Sequence, residues 1–281
     1  MLRKDSLFLK GMNDREVLQA QFDGFQSTPL LWGNNAVMGL IQFQFGNNSP
    51  IEPLTTITKT PRLGKLVEQF VIHSMTQSKS YNILIQNAQI QRDKITLGEL
   101  DCVFKSNKDI IHLEIIYKFY LYDNAAGESE LDKWIGPNKK DSLNQKLTKL
   151  ITKQLPRLHL PETKEILTEH NLNVEDIIQR VHFRAQLFIP YTSEEIIFDA
   201  INKDCVAGFY VNHKELEQFS KNTFFLPQKL DWLATPSEHN GYIDLTTFKK
   251  SIESYVKDER SPLCWMKTTQ NKYQKLFVVW W

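Results

Sequence analysis

Residues 98–120, GELDCVFKSNKDIIHLEIIYKFY, alternate with a period of two on either side of a polar tetrapeptide, the pattern of an antiparallel hairpin. With the turn at Ser106-Asn107-Lys108-Asp109, or as a two-residue turn at Asn107-Lys108, Lys105 pairs with Ile110 and Asp101 faces Glu114. One face then carries Leu100, Cys102, Phe104, Ile111, Leu113, Ile115, Tyr117, Phe119 and Leu121 and must lie on a core. The other, more polar face carries Glu99, Asp101, Val103, Lys105, Ile110, His112, Glu114, Ile116 and Lys118. Slipping the register by one residue would bury Glu99, Asp101 and Glu114 and expose large apolar groups, so the pairing is tightly specified. Like charges directly opposite one another cost the strand pair several tenths of a kcal/mol. A divalent cation offsets that cost, because Mg²⁺ and Ca²⁺ take hard oxygen ligands at about 2 to 2.5 Å. The competing reading is a pair of solvated charges on the outer face of the hairpin.

A chain of 281 residues buries a substantial core as one large domain or two modest ones. Its net charge of +1 is not that of a polycation, so affinity for nucleic acid has to come from a local patch. Cys102, Cys205 and Cys264 are far apart and lack CxxC spacing, which argues against a disulfide framework and a zinc ribbon and fits a reducing compartment. With no sustained apolar run at the N-terminus and none long enough to span a bilayer, the expected location is cytoplasmic, with no membrane partner.

A helix is expected over residues 12–26, then a loop marked by Pro29, Gly33, Asn34 and Asn35, a short apolar stretch at 36–45, and a turn-rich segment at 46–60. The next helix begins with Thr60 as N-cap and Pro61 at its first position and runs to about Gln77. Leu63, Leu66, Val67, Phe70 and Val71 form its apolar stripe, with Glu68 beside it. A strand from Tyr81 to about Ile90 precedes the hairpin; a flexible loop follows it at 123–140, then a helix from Asp141 to about Leu155. Short helices at 161–180 lead to an alternating strand over 181–191. Residues 192–281 read as a less legible α+β region, with strands near 207–211, 264–267 and 276–281 and helices near 214–220 and 245–256.

The segments RLGKLVEQF, LGELDCVF, HLEIIYKFYL and WIGPNKKDSLNQKL, in that order, resemble the PD-(D/E)XK nuclease superfamily and, within it, the bacterial domain-of-unknown-function family 1853. The resemblance implies an α+β, sandwich-like fold with a restriction-endonuclease-like core of order α-β-β-β-α-β over residues 60–191. An N-terminal helical extension (1–59) and a C-terminal α+β extension (192–281) would flank that core or form one continuous domain with it. Carried over residue by residue, Glu68, Asp101 and Glu114 would be acidic ligands of Mg²⁺ or Mn²⁺, with the backbone carbonyl of Ile115 as a further ligand. The sequence departs from the pattern where a lysine is expected two residues after Glu114, for Ile116 stands there. Lys118 lies on the same face roughly 13 Å from Glu114. Lys146 and Lys149 on the following helix are the alternatives for a migrated lysine, which leaves Lys118 open as a strand-end surface charge.

Lys139, Lys140, Lys146, Lys149, Lys153 and Arg157 stand against one acid, Asp141, in a basic stripe suited to tracking phosphates, or in a merely solvated helix face. Gln145 on that helix resembles the glutamine that many superfamily members place near the site. Trp134, Gly136 and Pro137 form a loop that either closes over substrate or is anchored by the tryptophan. Glu99 is read as a further ligand, a second acceptor or a surface charge, and His112 as a hydrogen-bonded structural residue. The aromatic residues Phe224, Phe225 and Trp232 and the 278–281 terminus are assigned to packing ahead of base stacking. No GxSxG, P-loop, GxGxxG or HExxH motif occurs. Two functional expectations result: a metal-dependent nuclease acting on nucleic acid, DNA first, and a catalytically silent module of the same fold that binds nucleic acid or protein.

Overall fold

The computed structural model describes residues 14–46, 62–192, 195–236 and 241–281. The helix read at 12–26 is α1 (Asp14–Ser27), and the next is α2 (Leu63–Thr76). Arg62 stands at the N-cap of α2 without a side-chain cap; the expected Thr60 cap and Pro61, and the turn-rich stretch from residue 47 to 60, fall outside the described residues. Then come β1 (Tyr81–Arg92), β2 (Ile95–Ser106) and β3 (Asp109–Tyr122).

The segment read as a flexible loop after the hairpin holds a short helix, α3 (Glu130–Lys133), and a two-residue strand, β4 (Trp134–Ile135), that pairs with the end of β3. Trp134 is fully buried between Tyr122 and Phe198, and that packing is what orders the segment. The helix expected over 141–155 is α only over α4 (Leu143–Lys149), continuing as a π-helical turn (Leu150–Gln154) and a 3-10 turn (Leu155–His159). Pro156, with no N–H to donate, stands inside the stretch where regular α-helix has already been lost.

After α5 (Pro161–Glu169), β5 (Ile177–Pro190) starts four residues earlier than its alternation suggests. The rest of the chain forms β6 (Val206–Asn212), β7 (Thr223–Phe225, not expected), α6 (Leu245–Lys257), β8 (Leu263–Lys267) and β9 (Tyr273–Val279). The expected helix at 214–220 is a 3-10 turn, His213–Phe219.

Among the described residues all nine strands join one mixed sheet in the order β1-β2-β3-β5-β6-β9-β8-β7, with β4 branching from β3. β1-β2-β3 is antiparallel; β3-β5, β5-β6 and β6-β9 are parallel. Residues 192–281 therefore extend the same sheet.

The hairpin has the register read from its sequence: Lys105 pairs with Ile110, and the ladder runs from Ser106–Asp109 to Cys102–Leu113. Asn107 takes the left-handed conformation the turn requires, at φ 54°. Ile111, Leu113, Ile115, Tyr117, Phe119 and Leu121 lie in a core with α1 and α2, as their face demands. The more polar face is covered as well. Ile116 and Tyr120 pack with Leu143, Leu147 and Leu150, while His112 and Glu114 are 0% and 1% exposed, so Glu114 is not a solvated outer charge. The cause is the parallel pairing of β3 with β5, which makes β3 an interior strand covered on both sides. No helix among the described residues is long and apolar enough to cross a membrane.

Candidate metal centre and its buried support

Helix α2 buries Leu66, Val67, Phe70 and Val71, and its next position around the cylinder, Glu68, is carried down toward β2, where Glu99 and Asp101 share one face. The carboxylate oxygens of Glu68, Glu99 and Asp101 lie within 4.8 Å of one another. Lys65, one turn before Glu68, bridges two of them: its Nζ is 2.6 Å from Glu68 Oε2 and 2.7 Å from Glu99 Oε1. On β1, Asn87 sits between the Gln86–Cys102 and Ala88–Leu100 pairs and adopts φ 50°, a left-handed conformation that Asn tolerates better than most residues. In the orientation that satisfies both ends of its amide, its nitrogen donates to Glu68 Oε2 at 3.1 Å and to Glu99 Oε1 at 3.2 Å.

Pairing of β2 with β3 ends one step short of Asp101 and Glu114. Beyond that point the Asp101 carboxylate accepts the Ile115 backbone N–H at 2.9 Å, so Ile115 meets the site through its amide. Burial raises the Asp101 pKa well above the carboxylate range, and the charges of Glu114 and Glu68 add to the rise against the Ile115 amide and Lys65. Burial also raises Glu68, with Lys65 opposing it. Burial pulls the Lys65 ammonium down, but its bonds to Glu68 and Glu99 outweigh that, and its pKa is raised overall. In both carboxyls burial is the first cause of the rise, and the neighbouring carboxylates add to it.

Glu114 lies deeper. Its Oε2 accepts from Gln154 Nε2 at 2.6 Å, and Lys146 Nζ donates to the other end of that amide at 2.6 Å. Its Oε1 faces His112 Nε2 at 3.6 Å, and neither of these two buried atoms has a hydrogen-bond partner. Gln179 Nε2 donates to the Leu155 carbonyl at 2.7 Å and meets His112 Nδ1 at 3.1 Å. Nδ1 is then the acceptor, and the imidazole proton sits on Nε2, pointing at Glu114. Burial lowers the Lys146 pKa to about 8; the Glu114 charge opposes the drop, and Lys118 and Lys149 add to it.

Lys118 points elsewhere, pairing with Asp141 Oδ2 at 2.7 Å. The basic stripe disperses. Lys139 pairs with Asp123 and lies 3.9 Å from the centre of the Trp281 ring, Lys140 lines a cavity, Lys146 turns inward, and Lys149 and Lys153 stand exposed. Gln145 closes a capping box with Ser142 at the start of α4 and is exposed. The glutamine that reaches the carboxylates is Gln154, delivered by the π-helical turn.

Asn87, Lys65 and Gln154 are additions to the sequence reading, which has Arg157 only as the end of the basic stripe. Only Lys65 left a trace, its spacing of three from Glu68. Arg157 accounts for Gly98 in the GELD segment, because a Cβ there would lie 2.2 Å from the Arg157 Nε.

Fold and site together describe a mixed α+β protein with a carboxylate cluster at the junction of a helix and an antiparallel hairpin. The chain belongs to the family described as a domain of unknown function (DUF1853), whose model matches residues 23–279. No curated protein and no solved structure gives a significant match.

Proposed function

We propose that the protein is a metal-dependent nuclease of the PD-(D/E)XK type that hydrolyses phosphodiester bonds of nucleic acid. The observation that carries this reading is the convergence of Glu68, Glu99 and Asp101 oxygens within 4.8 Å, an all-oxygen donor set already drawing in the ammonium of Lys65. The order α2-β1-β2-β3-α4-β5, with α3 and β4 inserted before α4 and α5 after it, and the parallel pairing of β3 and β5 are compatible with a restriction-endonuclease-like core.

Glu68, Glu99 and Asp101 would hold Mg²⁺ or Mn²⁺, with Glu114 adding charge from below. When bound, the ion supplies Lewis-acid activation of water and of the scissile phosphate. Gln154 fixes the Glu114 carboxylate, with His112 facing its other oxygen at 3.6 Å, and the Ile115 amide fixes Asp101. Lys146, held by Gln154, takes the place of the lysine missing at Ile116: its lowered pKa suits a group that orients water or stabilises charge developing on phosphate.

Calorimetric titration with Mn²⁺ and Mg²⁺, followed by cleavage assays on single-stranded, duplex and branched nucleic acid, tests the proposal. Binding lost in Asp101→Ala together with metal-dependent cleavage supports it; binding unchanged by Asp101→Ala sinks the site. Binding without cleavage favours the silent module, a reading supported by the engagement of Lys118 with Asp141.

A further inference from the structure

A cavity of about 650 Å³ opens between the first turn of α2, the end of β3, the segment around Pro137 and the segment around Trp232. Four cations line it, Arg62, Lys118, Lys140 and Lys229, against the single acid Asp141, which Lys118 already neutralises. Arg62 and Lys140 are exposed and pair with no carboxylate among the described residues. The first turn of α2 contributes Leu63 and Gly64 to the wall, and among the described residues no side chain caps its amides and no atom lies within 4 Å of the Gly64 Cβ position, which leaves the backbone approachable from that side by an anion. Phe119 and Trp232, which meet edge to face with centroids 5.3 Å apart, add apolar lining, and Lys229 Nζ lies 5.5 Å from the centre of the Trp232 ring. The size is that of a small-ligand site. Cations for an anion together with aromatic lining for a flat apolar group fit a nucleotide.

The cavity also has a fixed relation to the proposed metal centre. Gly64 precedes Glu68 by four residues, about 6 Å along the helix. Lys118 lies roughly 13 Å along β3 from Glu114. Resting on the nuclease reading, we propose that this cavity takes the terminal nucleotide of a single strand, which brings the adjoining phosphodiester to the carboxylates. Its phosphate meets Arg62, Lys140 and the first-turn amides of α2, and its base meets the Phe119–Trp232 wall. A base held in a duplex is not free to enter such a pocket, so the substrate class is single-stranded ends or frayed termini.

The test is fluorescence anisotropy of a labelled oligothymidylate, long enough for its duplex form to be stable, in EDTA, which separates binding from metal and cleavage. Wild type should bind the single strand at least ten-fold more tightly than a duplex of equal length, and thymidine monophosphate should compete. Arg62→Glu with Lys140→Glu should weaken single-strand binding ten-fold or more, while the exposed Lys257→Glu leaves it unchanged. Equal affinity for duplex, absence of competition, or a double variant that binds like wild type would overturn the assignment. Binding that follows this pattern without cleavage in Mg²⁺ or Mn²⁺ would retain the pocket and reject the nuclease; metal-dependent cleavage with unaltered binding in the double variant would do the reverse.

Discussion

The Gln154 amide and the Glu114 carboxylate meet at 2.6 Å, forty positions apart in the chain, and through the other end of the same amide Gln154 holds Lys146 at 2.6 Å. One side chain thus couples a buried acid on a central strand to a half-buried base on the covering segment. It does so from a π-helical turn, a distortion that recurs at functional sites.

Gln154→Leu keeps the approximate volume and removes both bonds. It is expected to destabilise the protein by about 1–3 kcal/mol, because the Glu114 carboxylate is left buried without its donor. Urea unfolding monitored by circular dichroism measures this, and a change within ~0.5 kcal/mol would mean the contact contributes little.

Lys146 and Lys118 separate by partner, the first bound to Gln154 and the second to Asp141. If cleavage is observed, Lys146→Met should lower kcat by about 10²-fold or more. Lys118→Met, which breaks only the half-exposed pair with Asp141, should change kcat less than ten-fold and stability by ~1 kcal/mol at most. The reverse ranking would return the role to Lys118.

Lys65 bridges Glu68 and Glu99, so on the proposed reading it would compete with a cation for them. In Lys65→Ala the rise in Tm produced by millimolar Mn²⁺ should exceed that of wild type, since tighter binding to the native state gives a larger shift. Asp101→Ala should show almost none. A smaller shift in Lys65→Ala than in wild type would make Lys65 a partner of the bound ion instead of its competitor.

Lys275 is buried, with its Nζ donating to Gln186 Oε1 and the Trp232 carbonyl at 2.6 Å each, and burial pushes its pKa down to about 7. Below pH 7 both native and unfolded chains carry the proton. Between about 7 and the ordinary lysine value near 10.4, the unfolded chain binds a proton that the native chain does not. This group's contribution to stability therefore rises with pH there, by up to about 1.4 kcal/mol per unit. The difference in unfolding free energy between wild type and Lys275→Met should follow that slope from pH 7 to 10 and flatten below 7. A pH-independent difference would show that Lys275 keeps its charge in the folded protein.

The hairpin, its register and the helix bearing Glu68 are legible in the chain, because periods of two and near four assign each side chain to a face without reference to distant segments. The family resemblance, not the periodicity, put Glu68 with Asp101, whose carboxylates do lie close. What covers those faces depends on long-range packing. Pairing of β3 with β5 turned an apparently solvent-facing row into an interior one, burying His112 and Glu114. The covering helix lost its α geometry after Lys149, which selected Gln154 over Gln145 and turned Lys146 inward while Lys118 went to Asp141. Local pattern reports the direction in which a side chain points; which distant group meets it is set by how strands and helices stack to exclude water, and that is a property of the whole sheet.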